Sequence, residues 1–156
     1  MVFFQEMSEE YFREYSAVRN EEYAESIARS NHLPKEAALE RAQRQWAELL
    51  PQGVRTGGQS LFEVWDERSQ TRVGTIWYGE NKGMDPGTLF IFDLYIDPSH
   101  RQKGFGGQVL LEVERRADAL GMTRLALHVF GDNETALRLY KRLGYRVTDL
   151  LMAKPI

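Results

Sequence analysis

Apolar positions along this chain change their period several times, and each change predicts a new element. Val2, Phe3 and Phe4 predict a short first strand. Tyr11, Phe12, Tyr15, Val18, Tyr23 and Ile27 then recur at roughly helical spacing behind Ser8, a capping residue, and predict a helix over 8–30. Leu33 and Pro34 break it. Ala37, Ala38, Leu39, Ala42, Trp46, Leu49 and Leu50 predict a second helix over 36–50, stopped by Pro51 and Gly53, and a polar loop runs to residue 60. Residues 60–65 and 72–78, on either side of the turn 66–70, predict an antiparallel pair. Residues 88–96 are almost continuously apolar, which fits a central strand buried on both faces. The helical period returns with Val109, Leu110, Val113, Ala117 and Leu120, and Gly121 ends it. A strand over 124–130, a helix from Asn133 to a stop at Gly144, and a last strand over 145–152 complete the chain. The order β-α-α-β-β-β-α-β-α-β predicts an α/β fold in one domain, 1–156, with a mixed sheet of about six strands and flanking helices.

Composition narrows the chemistry. The 156 residues hold no cysteine, which excludes disulfides within the chain, Cys-ligated zinc and a thiol nucleophile. The start lacks the basic residues and apolar run of a signal, and there is no apolar run of about 18 residues, so the expectation is a cytoplasmic protein without a membrane span. Net charge is −4 over residues 1–50, −3 over 51–98 and +4 over 99–156. This is either scatter on solvated surface or a basic last third that holds an anion behind an acidic front that draws a cation. Either way the chain is too acidic for bulk nucleic-acid binding. His100 and His128 stand alone, no His/Asp/Glu spacing suggests a metal, and no Ser-His-Asp arrangement is readable.

The densest chemical signal is Arg101-Gln102-Lys103-Gly104-Phe105-Gly106-Gly107, between the apolar strand and the next helix. Glycines let a ligand approach the backbone, and the unpaired N–H groups and dipole of a helix start favour an anion such as pyrophosphate. No Lys-Ser or Lys-Thr follows, so this is not a Walker loop, and Val109 stands where a dinucleotide fingerprint needs Gly or Ala. On the residues alone, a plain strand-to-helix turn is the alternative.

Three segments in order carry a family resemblance. Leu94-Tyr95-Ile96-Asp97-Pro98, the loop read as (R/Q)-x-x-G-x-(G/A) at residues 101–106, and Asn133-x-x-Ala136-x-x-Leu139-Tyr140-x-x-x-Gly144-Tyr145 resemble the GCN5-related N-acetyltransferase (GNAT) family over roughly residues 60–150. The resemblance implies an acyl-CoA N-acyltransferase fold and acetyl transfer from acetyl-CoA, without a metal, to a primary amine on a small molecule or peptide. It implies that residues 102–107 hold the pyrophosphate, with Arg101 and Lys103 at the rim. The strand before the loop would carry a bulge and splay from its neighbour, so that the pantetheine arm pairs with the backbone of Leu94, Tyr95 and Ile96, where an N–H can stabilise an oxyanion. Many family members are homodimers. A non-catalytic acetyl-CoA sensor or interaction module on the same fold is the competing reading.

Asn133 would bond the pantetheine arm, or else cap its helix. Tyr140 would protonate the departing thiolate, or else pack with Ala136 and Leu143. A tyrosine of pKa about 10 facing a thiol of about 8.5 makes full transfer uphill by about 2 kcal/mol, which a hydrogen bond that tightens with developing charge largely avoids. The amine must lose a proton as well. At pH 7 a lysine-like amine is neutral in about one molecule in 2,500. Asp93, the one charge inside the 88–96 run, is the candidate base, since burial raises a carboxylate toward useful values; a polar group at a strand edge is its alternative role, and Glu63 is the weaker candidate. Residues 8–60 would shape the acceptor pocket. Trp65, Trp77, Tyr78 and Tyr23 are either an aromatic wall for a cation or core, and Glu21, Glu22 and Glu25 either draw an amine or form a wet helix face.

Overall fold

The computed structural model describes residues 1–156. Its elements are β1 (Val2–Glu6), α1 (Glu9–Asn31), α2 (Lys35–Leu49), β2 (Gln59–Asp66), β3 (Thr71–Gly79), β4 (Thr88–Ile96), α3 (Phe105–Ala119), β5 (Arg124–Leu127) and α4 (Glu134–Arg142), with 3-10 turns at Gly53–Arg55 and Pro98–His100. Contacts group them into two units, Met1–Met7 with Gly57–Val129 and Ser8–Thr56 with Phe130–Ile156.

The first unit is a five-stranded sheet in the order β1-β2-β3-β4-β5. Pairing is antiparallel from β1 to β4 and parallel between β4 and β5. The β2–β3 turn is held by Asp66, whose carboxylate accepts from the Arg68 and Ser69 N–H groups and from the Ser69 hydroxyl. Strand β3 is the centre of the core: Val73 and Ile76 are wholly buried, and so is Trp77, whose Nε1–H is satisfied by Gln59 Oε1 at 2.9 Å. Helix α3 buries one stripe, Val109, Leu110, Val113 and Ala117. Each of the larger three contributes about 1.5–3 kcal/mol through burial. The Arg116 guanidinium lies 4.7 and 5.0 Å from the ring centres of Phe4 and Phe62, which places α3 on the sheet face that carries those rings. Gly121, at φ +73°, closes α3 with bonds from its own N–H to Asp118 and from Met122 to Ala117.

In the second unit Ser8 Oγ caps α1 by accepting from the Tyr11 N–H at 3.1 Å. Helices α1 and α2 meet through Ala24, Ile27, Ala38 and Ala42; both α2 alanines are fully buried, and their small size permits close approach. Tyr23, Leu33, Leu39 and Phe130 pack against this cluster. The Tyr23 hydroxyl donates to Gln45 at 2.8 Å, and burial raises its pKa.

Helical and strand periods place every element up to β5 within about two residues, and the mixed α/β architecture stands. Three expectations need correction. The strand over 124–130 stops at Leu127. The strand over 145–152 does not form, so the sheet has five strands rather than six. A strand exists only against a ladder partner, and this segment follows the Gly144 turn into exposed, irregular backbone. Finally, β4 is buried only over residues 88–91 and half-buried from Phe92 to its end, because β5 is too short to flank its second half.

Candidate active site

Register locates the site on β4. Opposite β3, Asp93 pairs with Trp77 and Ile91 pairs with Tyr78, so Phe92 is an extra residue and β4 carries a bulge there. The Phe92 ring stacks on Trp77 at 4.7 Å and meets Phe90 edge-on at 4.8 Å, which anchors the bulge in the core. Past the bulge, the Asp97 N–H donates to Val73 O at 2.9 Å. Antiparallel alternation therefore turns the backbone polar groups of Tyr95 toward β3 and those of Leu94 and Ile96 away from it. On that second side the β5 ladder ends with Leu127 opposite Ile91. No strand of the sheet flanks residues 92–96 there, and the result is an open edge presenting the Leu94 and Ile96 amides and the Leu94 carbonyl.

Gly74 sets how closely β3 approaches this segment. It pairs with Ile96, and a Cβ at Gly74 would collide with the Tyr95 carbonyl oxygen. Sequence reading missed this residue, although an isolated Gly inside a strand pattern is a signal of close backbone approach. It missed Phe92 as the bulge residue as well, for which the sequence carried no signal.

The loop continues directly from the open edge. Arg101 Nε donates to the Ile96 carbonyl at 2.9 Å and its guanidinium sits 5.5 Å from the Tyr95 ring centre, so Arg101 straps the loop to the end of β4. Lys103 Nζ donates to Ser99 O at 2.9 Å. His100 meets the Phe105 ring edge-on at 6.1 Å, a packing role. Gln102 adopts φ +60°, and Gly104 adopts φ +84° at the N-cap of α3 without a side-chain cap. The N–H groups of Phe105, Gly106 and Gly107 therefore point out of the helix start without intrahelical acceptors. A Cβ at Gly104 would meet nothing within 4 Å, so the loop surface is open to a ligand. Nearby, Gln108 Oε1 is buried with no hydrogen-bond partner. An open strand edge, orphan N–H groups on a dipole and two flanking cations are the donor set a pyrophosphate on a peptide-like arm requires.

The carboxylates differ. Asp93 is half-buried beside the bulge. Glu63 is buried and held by Arg72 Nη1 at 2.8 Å. In the second unit, Asn133 Oδ1 caps α4 by accepting from the Ala136 N–H at 3.2 Å. Tyr140 is half-buried on α4, its ring 5.7 Å from that of Tyr145. Of the proposed aromatic wall, Trp77 and Tyr78 are core, Trp65 stacks on Phe3, and Tyr23 packs on Phe130. Glu22 pairs with Arg19. A cleft of about 550 Å³ between α1 and α2 is lined by Phe12, Asn20, Glu21, Gln43 and Trp46 among others.

Comparison with known proteins adds three findings. The sequence profile of the acetyltransferase (GNAT) family matches residues 4–145. The uncharacterized N-acetyltransferase YycN of Bacillus subtilis (strain 168) is 30% identical over 151 residues, 96% of either chain, and YdgE from the same strain, likewise an uncharacterized N-acetyltransferase, is 27% identical over 152. The crystal structure of the YycN protein superimposes with a TM-score of 0.92 over 100% of this chain and 99% of its own. The Thermoplasma acidophilum PaiA N-acetyltransferase, solved with coenzyme A, shares the fold at a TM-score of 0.69 and 19% identity, over 96% of this chain and 92% of its own.

Proposed function

Because this chain belongs to the GNAT family of acetyltransferases and is an acyltransferase, we propose that it moves an acetyl group from acetyl-CoA to a primary amine by direct attack in a ternary complex. The observation that carries the reading is the open β4 edge at Leu94 and Ile96 running straight into an uncapped helix start at Gly104. Bound acetyl-CoA supplies the activated thioester. The N–H groups of residues 105–107 receive its pyrophosphate, and Arg101 and Lys103 offset its charge. Leu94 and Ile96 pair with the amide groups of the arm as an added strand. The Leu94 N–H is the donor for negative charge developing on the acetyl oxygen, a contribution of about 3 kcal/mol for a well-placed oxyanion donor. Tyr140 hands its proton to the leaving sulfur, and Asp93, directly or through water, takes the proton from the amine. These two assignments rest on the motif match and on the position beside the bulge. The coenzyme A complex of PaiA supports the cofactor.

The acceptor is an amine whose identity the residues do not name. With no cysteine in the chain, an acyl-Cys intermediate is excluded. Titration calorimetry with acetyl-CoA, followed by mass spectrometry of an amine panel, tests the reading. Binding with a mass gain of one acetyl group on an amine is the expected result, and absence of binding overturns it. One observation favours a second reading, a non-catalytic acetyl-CoA-binding module: Asn133 and Tyr140 both already hold structural contacts. Binding without acetylation of any amine selects that reading.

A further inference from the structure

Two cations stand at the rim of the Gly104 loop, and each is held by a backbone carbonyl rather than by a carboxylate: Arg101 by Ile96 O and Lys103 by Ser99 O, both at 2.9 Å. They differ in where that carbonyl lies. Ser99 belongs to the 3-10 turn, outside the sheet. Ile96 is the last residue of β4, opposite Gly74, with its polar groups turned away from β3 toward the open edge. An added strand would run about 4.8 Å from β4 and would bring one of its N–H groups to that oxygen. The Arg101 guanidinium occupies the same lane, 5.5 Å from the Tyr95 ring centre. A carbonyl oxygen has lone pairs for two donors. The planar side-chain group, however, fills the approach that a second backbone needs. Arg101 and a peptide-like arm therefore compete for the end of β4.

We propose that Arg101 is a latch that makes docking of the arm conditional on a diphosphate, so that the site accepts thioesters of coenzyme A and discriminates against pantetheine thioesters that lack the diphosphate. This rests on the reading of acetyl-CoA as the donor. Arg101 is exposed and sits in extended backbone, at φ −69° and ψ 160°, so its side chain rotates without disturbing the core. It begins the loop that ends at the α3 start, Phe105. A guanidinium bonds an anionic phosphate oxygen more strongly than a neutral carbonyl. When a diphosphate settles on the N–H groups of residues 105–107, Arg101 exchanges Ile96 O for a phosphate oxygen. The Ile96 carbonyl is then open to an N–H of the arm. A thioester without a diphosphate breaks the same bond and offers the guanidinium nothing in return. Its apparent affinity is reduced by the fraction of molecules in which the latch is open.

Titration of the full chain with two probes, acetyl-CoA and S-acetylpantetheine, tests the latch. Affinities are read by calorimetry and by the Leu94 and Ile96 amide shifts of isotope-labelled protein, on wild type, Arg101→Met and Lys103→Met. Methionine keeps the reach of either side chain and removes its donors and charge. Acetyl-CoA is expected to bind Arg101→Met about tenfold more weakly, through loss of a charge-assisted bond. S-acetylpantetheine is expected to bind the same variant about three- to tenfold more tightly than wild type, the net value of one hydrogen bond that no longer has to be broken. Opposite signs for the two probes are the signature of the latch, since a side chain that merely braces β4 would weaken both when removed. Lys103→Met, whose carbonyl lies off the edge, is expected to weaken acetyl-CoA and leave S-acetylpantetheine unchanged. If wild type binds acetyl-CoA but S-acetylpantetheine gains nothing from Arg101→Met, or gains as much from Lys103→Met, the latch is overturned and the donor reading stands. If wild type binds no acetyl-CoA, both are overturned.

Discussion

Tyr140 and Tyr145 are joined twice. The Tyr145 N–H donates to the Tyr140 carbonyl at 3.0 Å, and their rings pack at 5.7 Å and 57°. With Gly144 at φ +92° and its N–H on Lys141 O at 3.1 Å, this is the six-to-one bond and side-chain contact of a Schellman helix end. The Tyr140 ring therefore has a structural task of its own. Tyr140→Phe keeps the ring contact and removes the hydroxyl. Turnover is expected to fall by about 10² or more while the melting temperature holds. Steady-state kinetics beside a thermal melt checks this, and unchanged turnover removes Tyr140 from proton transfer.

Asp93→Asn separates a base from a positioning group. As a base, its loss at neutral pH is expected to lower kcat/KM by about 10². The deficit is expected to shrink as pH rises toward the amine's own value of about 10.4, where the acceptor needs no help. A pH–rate profile reads the difference. A deficit constant with pH assigns Asp93 to holding the bulge.

Gly74→Ala drives a methyl into the Tyr95 carbonyl oxygen and so forces β3 from β4 at the open edge. Overpacking of this kind costs about 1–3 kcal/mol. Urea unfolding is expected to show that loss, with weakened acetyl-CoA binding because Leu94 and Ile96 move with the strand.

Gly104→Ala behaves oppositely. Its left-handed backbone, at φ +84°, costs an L-residue about 1–2 kcal/mol, yet the added methyl meets no neighbour. A modest drop in melting temperature is expected beside a roughly tenfold weaker acetyl-CoA affinity (about 1.4 kcal/mol) in calorimetry, since the methyl stands on the surface the anion approaches. Unchanged affinity would move the pyrophosphate away from this loop.

Glu112 gives a pH signature unrelated to catalysis. Both of its oxygens accept from Arg115, at 2.7 and 2.9 Å, and one accepts from Arg116 at 2.8 Å. The Arg115 bonds foremost, then Arg116, hold its pKa down from 4.5 to about 2. A depressed carboxylate stabilises the fold fully above its unfolded value, and that stabilisation disappears as pH falls from about 4.5 to about 2. Arg115 is largely solvated, so screening keeps the stabilisation from the triad small. Glu112→Gln is expected to lower stability slightly at pH 7 and by almost nothing near pH 2, measured by urea unfolding at both.

What the sequence determined by itself is local. Ser8, Asn133, Gly121 and Gly144 act within four residues of their own positions, and each was legible as a cap or stop that the structure places at a helix end. The 3.6 and two-residue periods likewise located α3 and β4, because burial of one face is written in neighbouring residues. The Gly104 loop and the Asn133–Tyr145 motif were readable for the same reason. Tertiary structure decided everything that depends on where a distant strand begins or ends. The Phe92 bulge is a register relation with Trp77, fifteen positions away, and the open edge at Leu94 and Ile96 exists because β5 stops at Leu127. Gly74 matters only because the Tyr95 carbonyl comes to it. Residues 145–152 have a strand's composition, but a strand is a pairing rather than a propensity, and in this structure they join no ladder.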